Sequence, residues 1–205
     1  NQINALAEIG LSPEGACCRL ALSDEDRLGR NLLITWMKEL KLEVSIDPIG
    51  NIFGWRAGLE DLPPVMTGSH IDTVRTGGRY DGPLGVLGGL EVVRALNEAG
   101  IVTRRPLVVA AFTNEEGARF HPDMLGSLVY VGGLPLEEAY ASHSADGKIL
   151  IDELTKIGYV GKAALPLCKP HAFVELHIEQ GPILDIEGVT IGAVRDLQGI
   201  SWQEL

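Results

Sequence analysis

Three consecutive stretches decide how this chain folds: Pro64-Val-Met-Thr-Gly-Ser-His70, then Leu84-Gly-Val-Leu-Gly-Gly-Leu-Glu-Val-Val-Arg-Ala-Leu-Asn-Glu-Ala99, then Leu107-Val-Val-Ala-Ala-Phe112. The first and third are short apolar runs of strand length, while the second carries helical periodicity and stops at Gly100, a helix-ending residue. Upstream, Ser23 and Asp26 resemble a capping box, and Leu28, Leu32, Leu33, Trp36, Met37 and Leu40 recur at helical spacing, predicting a helix over about residues 24 to 40. Leu42-Glu-Val-Ser-Ile46, the turn Asp47-Pro-Ile-Gly-Asn51 and Ile52-Phe-Gly-Trp55 read as a hairpin. Downstream, helical segments are predicted near 123–132 and 148–157, followed by a strand from Ala172 to Ile178. The order strand, helix, strand, helix, strand implies an α/β layered domain with a mostly parallel or mixed sheet.

Composition narrows the function. The 205 residues can form one sizeable core, and 45% hydrophobic with 22% charged residues fits a globular protein. A net charge of -11 argues against a nucleic-acid surface, yet allows a locally positive metal pocket. Cys17, Cys18 and Cys168 suggest no paired framework, so a reducing cytoplasm is the default expectation. No run approaches a membrane span, and the first residues lack the basic and apolar regions of an export signal.

Chemistry-bearing residues gather where strands end. Gly68-Ser-His-Ile-Asp-Thr is followed by Gly77-Gly-Arg-Tyr-Asp-Gly82; Thr113-Asn-Glu-Glu-Gly-Ala-Arg119 follows the Leu107 strand; Glu175-Leu-His-Ile-Glu-Gln-Gly181 lies in the third apolar run. In open α/β sheets, sites form at the carboxyl ends of strands. Each motif alone has an ordinary reading: a lone histidine is usually a surface or hydrogen-bonded residue, Glu115-Glu116 a solvated loop, and Gly77-Gly78 or Gly88-Gly89 turn and packing glycines. Together, His70, Asp81, the Glu115-Glu116 pair and His177 form a nitrogen and oxygen donor set suited to Zn²⁺ and similar cations, with Asp72 two residues past His70 to orient the imidazole.

These blocks, extended to Gly68-Ser-His-Ile-Asp-Thr-Val, Gly78-Arg-Tyr-Asp-Gly, Thr113-Asn-Glu-Glu-Gly-Ala-Arg-Phe120 and Glu175-Leu-His-Ile-Glu-Gln-Gly-Pro182, resemble those of the N-carbamoyl-L-amino-acid hydrolase, allantoate amidohydrolase and β-ureidopropionase family of the dinuclear zinc peptidase superfamily. The resemblance implies a three-layer αβα zinc-exopeptidase-like catalytic domain with a mixed, largely parallel sheet. It implies that His70 and His177 bind one divalent ion, Glu116 the other, and that Asp81 bridges them, with Zn most expected and Mn, Co or Ni as alternatives. Glu115 would be the general base, Asp72 counts with it among the catalytic residues as the group orienting His70, and Gln180 would be a substrate contact; Arg119 is open between substrate contact and structural ion pair. A cis peptide is also implied at Asp81-Gly82.

Two near-tetrahedral sites sharing one carboxylate need five protein ligands, and four are present. His121 and His143 sit in polar sequence and read as surface residues, while His171 on one strand with His177 would be roughly 20 Å away. The family takes its fifth ligand, a histidine, from a distant segment beyond an inserted smaller domain that carries dimer contacts. The expectation is therefore that residues 1–205 are the N-terminal portion of the catalytic domain, with a lid and dimerisation domain beginning at about 200–205, and that the full-length protein is a cytoplasmic homodimer with a small-molecule substrate. Two classes follow: a metal-dependent hydrolase of a carbamoyl or ureido group, with an aminopeptidase or N-acyl deacylase as competitor, or an inactive metal-binding fragment.

Overall fold

The computed structural model describes residues 1–197 and 199. The expected start of a lid and dimerisation domain at about 200–205 falls outside the described residues. The chain runs α1 (Gln2–Ala7), α2 (Asp24–Glu39), β1 (Glu43–Ile46), β2 (Ile52–Arg56), β3 (Val65–His70), α3 (Pro83–Glu98), β4 (Leu107–Phe112), α4 (Leu125–Tyr130), α5 (Leu136–Tyr140), α6 (Leu150–Lys156), β5 (Ala172–Val174) and α7 (Ile183–Glu187). No described helix is long and apolar enough to cross a membrane.

Helix α2 forms where the periodicity places it. Ser23 Oγ accepts the Asp26 amide at 3.1 Å, and Asp26 reaches back to the Leu22 amide at 2.8 Å, one residue earlier than a standard capping box. Its buried stripe includes Leu33, Trp36 and Met37, and each fully buried residue of this size is worth about 1.5–3 kcal/mol. On the same helix Asp26 and Arg30 make a buried ion pair at 2.8 Å, with Arg30 also donating to Gly50 O and Thr113 Oγ1.

The five strands form one mixed sheet in the order β1-β2-β4-β3-β5. The β1–β2 hairpin and the β2–β4 pair are antiparallel, while β3 pairs parallel with both β4 and β5. The parallel part is thus confined to the three strands that carry the motifs. Alternation sends Ile52, Val109 and Ala111 to the face covered by α2 and α3, and Phe53, Met66, Val108 and Ala110 to the face covered by Tyr130 and the 165–168 segment. Gly89 lets α3 lie close on the sheet, since a Cβ there would come within 2.9 Å of Thr67 and 3.1 Å of Val109.

Several expectations are corrected. The run from Ala172 to Ile178 is a strand only as far as Val174, because β5 shares register with β3 over Val65–Thr67 alone. His177 therefore stands on a loop. The segments predicted at 123–132 and 148–157 are shorter helices, Leu125–Tyr130 and Leu150–Lys156. Helices α1, α5 and α7, each of five or six residues, are too short for a periodic stripe to show them in sequence.

Candidate metal centre

Strand β3 ends at His70, so its parallel register with β4 puts His70 beside Phe112 and just ahead of the Thr113–Glu116 turn. The His70 ring is 1% exposed. Its Nδ1 lies 2.9 Å from the Asp72 backbone carbonyl, which fixes the tautomer with the proton on Nδ1 and leaves the Nε2 lone pair facing the site. His177 repeats the device, with Nδ1 at 2.9 Å from Ile178 O and Nε2 at 3.3 Å from Asp81 Oδ1. The two rings are near-parallel, their centroids 6.1 Å apart. Ligating atoms of His70, Asp81 and His177 all lie within 4.8 Å of one another.

Asp81 reaches this point through a tight turn at Gly82, whose φ of 81° is in the left-handed region. A Cβ at Gly82 would lie 2.5 Å from the His70 ring. The cis bonds of the described chain are His121–Pro122 and Leu165–Pro166, so the cis peptide expected at Asp81-Gly82 is not found and left-handed glycine makes the turn instead.

The glutamate pair is held by its backbone. Asp72, 2% exposed, accepts the Glu115 amide on one oxygen and the Glu116 amide on the other, both at 3.2 Å. The carbonyls of Thr113, Asn114 and Glu115 accept the amides of Gly126, Leu125 and Met124, so the first turn of α4 clamps the same segment. Asn51 adds a buried tie, accepting the Thr113 amide at 2.9 Å and donating to Gly126 O at 3.0 Å. Asn114 adopts φ 53°, a conformation asparagine tolerates, and donates to Phe120 O. Glu115 Oε2 lies 3.4 Å from His70 Nε2, and both glutamates stand outside the His70, Asp81 and His177 cluster.

The site is short of positive charge. Burial, together with Asp81, Asp72 and Glu115, pushes Glu116 up to about 7 against the pull of His70. Burial likewise raises Glu115 and Asp72. Burial opposes protonation of His70, but Asp72 and Glu115 outweigh it and hold the imidazole above its ordinary value. Glu116 Oε1 is buried with no hydrogen-bond partner. An orphaned carboxylate oxygen, crowded acids and two imidazoles presenting lone pairs together fit a divalent cation held by nitrogen and oxygen donors.

The other predicted residues sort as follows. Gln180 stands at the cluster, its Nε2 3.1 Å from Asp81 Oδ1. Arg119 pairs with Glu153 and donates to Ala21 O at 2.9 Å, a structural ion pair. His121, His143 and His171 are exposed. Sequence reasoning missed Ser69, whose hydroxyl donates to Glu175 at 2.5 Å, along with Asn51 and Asn114; of these, only an asparagine directly before a glutamate pair in a turn offered a signal.

Residues 66–201 match the family model described as peptidase family M20/M25/M40. An N-carbamoyl-L-amino-acid amidohydrolase of Rhizobium meliloti is 48% identical over 200 residues, covering 97% of this chain and 48% of that protein. A ureidoglycolate hydrolase of Arabidopsis thaliana is 39% identical over 204 residues, covering 95% of this chain and 43% of that protein. A solved hydantoinase/carbamoylase family amidase from Burkholderia ambifaria has a TM-score of 0.89 at 48% identity, covering 91% of this chain and 46% of that one. The chain spans about half the length of the curated relatives it matches.

Proposed function

This chain belongs to peptidase family M20/M25/M40, and from that footing we propose that it is the metal-binding part of an amidohydrolase that cleaves a linear carbon–nitrogen bond in a carbamoyl or ureido group. The observation that carries the reading is the convergence of His70, Asp81 and His177 within 4.8 Å, with the Glu115 carboxylate 3.4 Å from His70. The carbamoyl class rests on the relatives named for N-carbamoyl-L-amino acids and ureidoglycolate.

His70, His177 and Asp81 would hold one ion, and Asp81 with Glu116 a second, zinc being favoured by the donors and Mn, Co or Ni being compatible. Bound there, the ions would supply Lewis-acid activation of water and of the substrate carbonyl. Asp72 holds the backbone of Glu115 and Glu116; Glu116 would ligate, and Glu115 would stay free of the metal. Glu115, raised by burial, takes a proton from water and returns it to the departing amine. The carbamate so released would break down to carbon dioxide and ammonia. Gln180 offers an amide to the substrate from the loop that carries His177. Relatives are about twice as long as this chain, and to the remainder of such a protein we assign the fifth ligand and the dimer contacts implied by the resemblance.

The test is a panel of N-carbamoyl-L-amino acids, allantoate, 3-ureidopropionate, a dipeptide and an N-acetyl amino acid, given to the zinc-restored full-length protein. Hydrolysis of a carbamoyl or ureido substrate is expected; turnover of only the dipeptide or the acetyl compound overturns the substrate class. Glu115→Gln should keep its zinc, measured by elemental analysis, yet lose roughly 10² to 10⁴-fold in turnover, the scale of general acid–base catalysis. Zinc loss equal to that of Glu116→Gln would show the roles to be misassigned.

A further inference from the structure

The amide of Gln180 covers both oxygens of Asp81. Its Nε2 lies 3.1 Å from Oδ1 and 3.3 Å from Oδ2, and Oδ1 is also the oxygen facing His177 Nε2 at 3.3 Å. Gln180 achieves this with φ 55°, a conformation that costs a non-glycine residue energy. A carboxylate that ligates through both oxygens turns a lone pair of each toward a cation. The Gln180 amide takes both oxygens as acceptors, so amide and cation compete for the same carboxylate. Gln180 itself is exposed and on a loop, with room to move.

We propose that Gln180 is a metal-responsive substrate contact: its amide parks on Asp81, metal loading displaces it, and the displaced amide then becomes available to a polar group of the substrate. This rests on the reading of Asp81 as a metal ligand. It gives order to the site, because a substrate contact tied to Asp81 is withheld until the ions that make hydrolysis possible are in place. Loading and recognition become coupled through one side chain, in the thermodynamic sense that each partner's affinity includes the cost of moving the amide.

The experiment uses chelator-treated protein and Zn²⁺ itself as the probe, with affinity read by competition against a chromophoric chelator. Gln180→Met keeps the length without a donor, and Gln180→Ala serves as a second variant. Both should bind Zn²⁺ about two- to tenfold more tightly than wild type, the range of one net hydrogen bond. Asp81→Asn should bind it more weakly than wild type. In ¹⁵N-labelled wild type, the Gln180 side-chain amide signals, identified by their absence from Gln180→Met, should shift as Zn²⁺ is added. Unchanged or weakened zinc binding in both Gln180 variants, or a Gln180 amide that does not respond at zinc saturation, overturns the proposal. If that happens while Asp81→Asn still loses zinc affinity, the metal site stands and only the switch fails. If Asp81→Asn binds zinc as wild type does, the metal reading fails and the proposal with it.

Discussion

Replacing Gly82 by alanine should injure the proposed metal site through a single methyl group. The added Cβ would stand 2.5 Å from His70 Cε1 and Nε2 and 2.6 Å from Nδ1. Real Cβ atoms do not approach so closely, and the neighbour is a ring that is 1% exposed and pinned by the Asp72 carbonyl. Two costs add. Alanine at φ 81° carries the left-handed penalty of about 1–2 kcal/mol, and displacing the packed ring adds about 1–3 kcal/mol for overpacking. Gly100→Ala separates them, because Gly100 has φ 66° and nothing within 4 Å of its would-be Cβ. In a chain of this size each kcal/mol lowers Tm by roughly 2–4 °C. Thermal denaturation should therefore show a modest loss for Gly100→Ala and a clearly larger one for Gly82→Ala. Zinc affinity should be unchanged in Gly100→Ala but fall about 10–100-fold in Gly82→Ala, the scale of losing a ligand's supporting contact. A Gly82→Ala protein with wild-type zinc affinity and the Tm of Gly100→Ala would refute the reasoning.

Two predictions concern the scaffold behind the site. Asp26→Ala leaves the Arg30 guanidinium, 2% exposed, without its carboxylate, and should cost about 3–5 kcal/mol in urea unfolding; a loss below 1 kcal/mol would mean that Gly50 O and Thr113 Oγ1 suffice to hold Arg30. Asp47 is 0% exposed, and burial pushes its carboxyl from 3.8 to about 6 despite hydrogen bonds from Asn51. A raised folded-state value means that stability from this group is present below pH 3.8 and is lost as pH rises through about 6. Wild type should accordingly gain about 1–2 kcal/mol relative to Asp47→Asn between pH 7.5 and 5, and equal pH dependence in the two proteins would dispose of the shift.

What could be read from the sequence was whatever depends on near neighbours. The spacing of Leu32, Leu33, Trp36 and Met37 makes α2 amphipathic in any context, and Gly100 ends α3 because the residue after a helix favours left-handed backbone. Composition and the grouping of His70, Asp81, Glu115, Glu116 and His177 at probable strand ends likewise required no coordinates. Tertiary structure decided the rest. The end of β5 at Val174 depends on how far β3 offers it a partner, which no local pattern encodes. The approach of His177 to Asp81 depends on parallel register between strands far apart in the chain. Glu115 and Glu116 are chemically alike, and their turn is fixed by one buried carboxylate, Asp72, which takes both of their amides from 43 and 44 residues away. The turn at Gly82 is legible as glycine, but the reason for it is the His70 ring lying against it, and a contact between two segments exists only once both are folded into place.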